Sequence, residues 1–188
     1  MKILVLDNYD SFTYNLVYII RDLGYGGQMD IFRNDKISID SVEQYDKILL
    51  SPGPGVPEDA GIMPELLKRY SPTKNILGVC LGHQAIGEAF GSGLINLTEV
   101  VHGVASKVKI QPDPLFEGIP ETFTVGRYHS WVIDESTLPA SLEVIAKTPD
   151  GQIMAVRHTS FNVKGVQFHP ESILTEHGIR MMQNWLEG

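Results

Sequence analysis

ILGVCLGHQ, residues 76–84, runs from an apolar segment into the only cysteine of the chain, which stands close to Gly78 and Gly82. A strand that ends in Gly-Val-Cys-Leu-Gly and leads into a helix has the layout of a nucleophile elbow, a tight strand-to-helix turn that exposes a reactive side chain. Glycines on either side relieve the crowding there. At a helix N-terminus, Cys80 would face unpaired N–H groups and the positive end of the dipole, which favour thiolate over thiol. Taken alone, a single cysteine reads equally well as an inert residue closing a core strand.

Outward from the elbow, short apolar runs alternate with helical patterns, the rhythm of βαβ units around a parallel sheet. ILVL at 3–6, Met29 to Phe32, Lys47 to Leu50 and Ile76 to Val79 read as strands. Phe12, Leu16, Ile19, Ile20 and Leu23 share one helical face, with Ser11 as the expected cap and Gly24 as the stop. Further helices are expected at 64–70, where Pro64 suits a first turn, and at 81–90. Beyond Gly93 the pattern changes to VASKVKI, TFTVG, LEVIAK, IMAVRH and VKGVQF, shorter strand-like segments that add hairpins to the sheet. A closing helix would bury Ile179, Met182 and Leu186. The expected class is α/β, an open, mostly parallel but mixed sheet flanked by helices.

The bulk numbers bound the function. At 188 residues the chain fits one domain over 1–188, and 43% hydrophobic with 20% charged residues fits a compact globular fold. A net charge of −8 opposes nucleic acid and anionic membranes. No run approaches the roughly 18–20 apolar residues of a membrane span. One cysteine forms no internal disulfide, and MKILVLDNYD lacks a secretory pattern, so a cytoplasmic setting is expected. None of the six histidines forms HExxH or pairs with cysteine at zinc spacing, and GxxxxGK[ST] is missing. Neither a metal nor a cofactor is expected.

FHPES at 168–172 follows VKGVQF, which should bring His169 and Glu171 to the end of a strand. In extended backbone, residues two apart point to one side. A histidine there can deprotonate a thiol and protonate a leaving amine, while a carboxylate fixes its tautomer. SPGPG at 51–55 follows the strand KILL and should reach the same sheet edge, where ligands of open α/β folds collect. Its prolines lack N–H groups, leaving Gly53 and Gly55 as donors. Gly53 could form an oxyanion hole with the N–H of Leu81.

In this order GVCLGHQ, SPGPG, YHS and HPE resemble the class I glutamine amidotransferases, and the resemblance covers nearly the whole chain. LDNYDSFTYNL is similar to the glutaminase subunits of anthranilate and aminodeoxychorismate synthases. The resemblance implies a flavodoxin-like fold with Cys80 as nucleophile, His169 as acid/base and Glu171 as its orienting carboxylate. It also implies L-glutamine contacts at Gly53, Pro54, Gly55, Gln84, Ser130 and Trp131. Members of that family often carry leucine at the Trp131 position, where the contact is expected through backbone. Hydrolysis would release ammonia to a separate chorismate-binding synthase subunit, because this chain has no room for a second active site.

Two other classes stay open on the residues alone. A flavodoxin-like electron carrier would use SFTYN at 11–15 around a phosphate, against which Tyr14 is bulky. A partner-independent hydrolase with a cysteine elbow would account for Cys80 but gives no reason for SPGPG or HPE. His83 and His129 are expected to support the elbow and the substrate loop, and His102, His158 and His177 to be surface or structural residues. Asp7 and Asp10 end the first strand, where loop capping and partner contact are both consistent with the sequence.

Overall fold

The computed structural model describes residues 1–188 apart from the side chain of Glu99. Its strands are β1 (Ile3–Asp7), β2 (Met29–Arg33), β3 (Lys47–Leu50), β4 (Asn75–Val79), β5 (Leu94–Ile110), β6 (Thr122–Ile133), β7 (Leu142–Lys147), β8 (Ile153–His158) and β9 (Val163–Val166). Helices α1 (Thr13–Asp22), α2 (Met63–Tyr70), α3 (Leu81–Ala89) and α4 (Gly178–Glu187) flank them. The described residues form one sheet in the order β2-β1-β3-β4-β9-β8-β7-β5-β6. Strands β2, β1, β3, β4 and β9 are parallel, and the remaining pairings are antiparallel.

Alternation across the parallel strands divides the core into two layers. Ile3, Val5, Leu49, Leu77 and Val79 point toward α1 and α4, meeting Leu16, Ile20, Met182 and Trp185. Leu4, Leu6, Ile48, Leu50 and Ile76 point toward α2 and α3, meeting Leu67, Tyr70, Ala85 and Ile86. Each buried aliphatic side chain stabilises the fold by roughly 1.5–3 kcal/mol. Covering both faces explains why these strands read as unbroken apolar runs rather than alternating ones.

Several expected details differ. Ser11 is exposed and does not cap α1, whose N-cap is Phe12. The acids take that work instead: Asp10 Oδ1 accepts from Phe12 N at 2.7 Å, and Asp7 Oδ1 accepts from Thr13 Oγ1 at 3.0 Å. Gly24 does stop the helix, in the left-handed region at φ +91, and Tyr25 N reaches back to Ile20 O at 3.1 Å. In α4 the buried face is Met181, Met182, Trp185 and Leu186, while Ile179 is 62% exposed. Gly178 sets this phase by packing so closely on Pro170 that a Cβ would lie 1.8 Å from its carbonyl oxygen.

Strands β5 and β6 extend well beyond VASKVKI and TFTVG into a long ribbon. Register shifts between Asn96 and Val101 and between His102 and Val104 break its alternation. The ribbon folds the segment Tyr128 to Trp131 over the C-terminal ends of the parallel strands.

The junction of β4 and α3 is the tightest point in the sheet. A Cβ on Gly78 would lie 2.5 Å from the carbonyl carbon and oxygen of Gly82, and one on Gly82 would lie 2.6 Å from Leu50 O. Only hydrogen fits between the strand and the helix returning over it. Gly78→Ala should therefore destabilise the protein by about 1–3 kcal/mol, a fall of roughly 2–12 °C in Tm. Gly27→Ala, which adds a methyl to open space, should leave Tm nearly unchanged, so equal shifts in a thermal melt would contradict the packing argument.

Candidate active site

Cys80 sits between β4 and α3 with φ 52 and ψ −99, a strained conformation for a residue with a side chain. Its N–H donates to Val166 O at 2.9 Å, and its carbonyl accepts from Gln84 N at 3.0 Å. Those bonds tie the turn to β9 on one side and to the helix on the other. The sulfur emerges at the N-terminus of α3, where the N–H of Leu81 has no acceptor within the helix. Sγ lies 3.8 Å from Tyr128 O and 3.6 Å from Gln167 Nε2.

His169 and Glu171 come together as expected, but not through extended backbone. Ser172 N donates to His169 O at 3.1 Å, closing a turn around Pro170. That proline occupies the second turn position, where its fixed φ is favoured. The turn is docked on β6: His169 N donates to Gly126 O at 3.1 Å, and Thr175 Oγ1 donates to His169 O at 2.6 Å. Inside it, His169 Nδ1 meets Glu171 Oε1 at 2.6 Å, with side-chain exposures of 3% and 0%.

Burial alone would push the His169 imidazole down, yet interaction with Cys80 and with Glu171 outweighs it and raises the pKa to about 10. The imidazolium is thus favoured between two partners. Nε2 is buried with no hydrogen-bond partner at good geometry among the described residues, leaving it available for a reacting group. Rings enclose it: Tyr128 and Phe12 lie 5.0 and 5.4 Å from the imidazole centroid.

A cavity of about 290 Å³ opens beside the sulfur, lined by Gly53, Pro54, Gly55, Cys80, Gln84, His102 and the segment from Tyr128 to Trp131. Gly53 is held against Asn8 and Leu81, where a Cβ would lie 2.6 Å from Asn8 Cβ and 2.7 Å from Leu81 Cδ2. On the far wall Gln84 Nε2 donates to Trp131 O at 3.0 Å, so this wall is built from the Trp131 backbone. His129 holds the same carbonyl through Nδ1 at 3.0 Å. Burial, with the Arg127 guanidinium beside it, pushes His129 down to about 3. His83 is fully buried against Gly165 and pushed by burial to about 3 as well.

All of the sequence-derived site residues therefore gather at one sheet edge, with Leu81 behind Gly53 rather than in the cavity lining. Sequence reasoning did not assign roles to Tyr128 and Gln167, and it placed His102 among surface or structural residues. Tyr128 opens the YHS segment and Gln167 directly precedes FHPES, so their positions within those motifs were the available signal. His102 comes from a ribbon whose pairing carried no periodic trace.

A strained cysteine at a strand-to-helix turn, a buried histidine–carboxylate pair and an amide-lined cavity together have the arrangement used for acyl transfer from a cysteine. The chain matches the family Glutamine amidotransferase class-I over residues 4–188 and belongs to it. An aminodeoxychorismate/anthranilate synthase component 2 of Bacillus subtilis is 43% identical over 187 residues, covering 98% of this chain and 95% of that protein. An anthranilate synthase component 2 of Mycobacterium tuberculosis is 48% identical over 191 residues, covering 99% of this chain and 82% of that protein. Among solved structures, a GMP synthase component from Thermoplasma acidophilum aligns with a TM-score of 0.88 at 26% identity, over 100% of this chain and 92% of that one.

The histidines should separate in a ring-nitrogen NMR titration. His83 and His129 should stay neutral down to about pH 5, since both are held near 3. His169 should stay protonated until the pH approaches about 10. Its folded value lies above the ordinary 6.5, so its pairing stabilises the fold fully below about pH 6.5, and that contribution is lost as pH rises through about 10. Glu171→Gln should lower the His169 midpoint. A wild-type midpoint near 6.5 would contradict the paired, buried imidazolium.

Proposed function

We propose that this chain hydrolyses the side-chain amide of L-glutamine through a thioester on Cys80 and passes the ammonia to a synthase subunit that aminates chorismate. The observation that carries the reading is the 2.6 Å His169–Glu171 pair standing beside a strained Cys80 at the wall of a small, amide-lined cavity. The relatives at 43% and 48% identity are named for aminodeoxychorismate and anthranilate synthases, which favours that partner over the nucleotide synthase named at 26%. In this reading residues 1–188 are one amidotransferase domain.

Glutamine lies with its amide toward the sulfur, along Gly53, Pro54 and Gly55, and with its amino-acid end toward Gln84, Ser130 and Trp131. The Cys80 thiolate attacks the amide carbon, and the carbonyl oxygen becomes an anion received by the N–H groups of Gly53 and Leu81. Protonated His169 gives its proton to the amide nitrogen as the C–N bond breaks, and ammonia leaves. The neutral imidazole then takes a proton from water, whose hydroxide attacks the thioester. The C–S bond breaks, glutamate departs, and the thiolate–imidazolium pair is restored. Glu171 holds the ring throughout without itself taking the proton.

Free ammonia is mostly protonated at neutral pH and would be diluted into bulk water, so its use requires a receiving site nearby. Cys80→Ser should lower glutamine-dependent amination of chorismate by at least about a thousandfold, measured with the synthase subunit present. Synthesis from added ammonium salt should continue. Loss of both activities would show that Cys80 does not act as the glutaminase nucleophile.

A further inference from the structure

Gln167 is completely buried at the end of β9, and nothing in the proposed glutamine chemistry uses it. It follows Val166, which pairs with Val79 in the β4–β9 register, so it stands beside Cys80 at the same sheet edge. Its backbone N–H is held by Met154 O at 2.8 Å. Its side chain bridges two parts of the site: Nε2 donates to Cys80 Sγ at 3.6 Å, and Oε1 accepts from Gln84 Nε2 at 3.3 Å.

The direction of this bridge follows from the donor inventory. Trp131 O can only accept, so Gln84 must turn its NH₂ group toward it, and the second hydrogen of that group meets Gln167. Gln167 must then offer its oxygen to Gln84 and its NH₂ to the sulfur. The Trp131 carbonyl is itself fixed by His129 Nδ1 at 3.0 Å. That tautomer is imposed by Arg127 Nε, a group that can only donate, which lies 3.0 Å from His129 Nε2. Arg127 is anchored in turn by the side-chain oxygen of Gln152 and by Ser106 Oγ at 3.4 Å.

We infer that Gln167 is a positioning residue for the nucleophile: it holds the Cys80 sulfur as a hydrogen-bond acceptor and couples it to Gln84 in the glutamine wall. The inference rests on the reading of Cys80 as nucleophile. An N–H aimed at sulfur favours thiolate over thiol, as any hydrogen bond to a charged form favours that form. The other titratable or charged groups around the sulfur are His169 and Glu171 on the turn, His102, Arg127, Tyr128 and His129 on the ribbon, and His83 on α3. Both Gln84 amide hydrogens are engaged within the wall, which leaves the Gln84 oxygen to meet an N–H group of the substrate.

The test is the pH dependence of Cys80 alkylation by iodoacetamide in the full chain, compared among wild type, Gln167→Glu and Gln167→Met. Both variants keep most of the side-chain volume and lack the amide donor. The pH midpoint of alkylation should move up by about one unit or more in each, further for Gln167→Glu because a carboxylate then faces the sulfur. Turnover of glutamine with the synthase subunit should fall about tenfold or more, with a smaller change in KM. If thermal melts show that neither variant folds, Gln84→Met carries the test: it frees the Gln167 amide to rotate and should also move the midpoint upward. An unchanged midpoint in the folded variants overturns the inference even if turnover falls, since a purely structural role would not touch sulfur ionisation. That outcome leaves the glutaminase reading intact. A wild-type protein whose variants shift as expected but which consumes no glutamine beside its partner would overturn the function alone.

Discussion

The backbone of Cys80 is the constraint on which the site depends. A non-glycine residue at φ 52 and ψ −99 is strained by an amount of order 1–3 kcal/mol, and it persists only where its surroundings over-determine it. Here the parallel strands β3 and β9 clamp β4 from both sides, Val166 and Gln84 hold the turn by its N–H and carbonyl, and two glycines let α3 fold back without collision. The strain keeps the sulfur projecting from the sheet edge at the start of a helix. A relaxed turn would carry it away from His169, Gln167 and the cavity at once.

The second requirement is a dry, paired acid/base group. A carboxylate with a fully covered side chain is costly to bury unless a partner compensates it. His169 supplies that compensation, and the turn around Pro170 fixes the two within hydrogen-bond distance. Tyr128 and Phe12 close over the imidazole, and Tyr128 Oη is itself held by Ser172 Oγ at 3.1 Å. Excluding water strengthens each electrostatic contact inside. The ribbon of β5 and β6 therefore does more than extend the sheet: it supplies the aromatic lid and the Trp131 backbone that lines the cavity.

Much of this was legible in the residues, and the exceptions have physical causes. Strands buried on both faces, such as β1, β3 and β4, left unbroken apolar runs whose bounds nearly coincide with the observed ones. The ribbon did not, because most of β5 is exposed and its bulges interrupt alternation. Ile179 read as core from its spacing, but the contact of Gly178 with Pro170, far from α4 in periodic terms, decides which face turns inward. Ser11 had the right chemistry for a cap, and Asp10 one residue earlier performed it. For the site, glycine spacing around Cys80 and the order of the motifs pointed to the correct sheet edge. The His169–Glu171 pairing emerged from a tertiary turn rather than from strand geometry. Gln167 stood outside that reasoning because its role depends on a neighbour in a strand far away in sequence.

A covalent bond between glutamine and Cys80 is the event that the whole arrangement of strained turn, buried pair and cavity serves. The most direct measurement is mass spectrometry of the acid-quenched protein after mixing with glutamine, using His169→Ala to slow release, followed by mapping of the modified peptide. A γ-glutamyl adduct on the peptide that carries Cys80 is the predicted result. Glutamine consumption with no adduct there, or with the adduct on another residue, would contradict it.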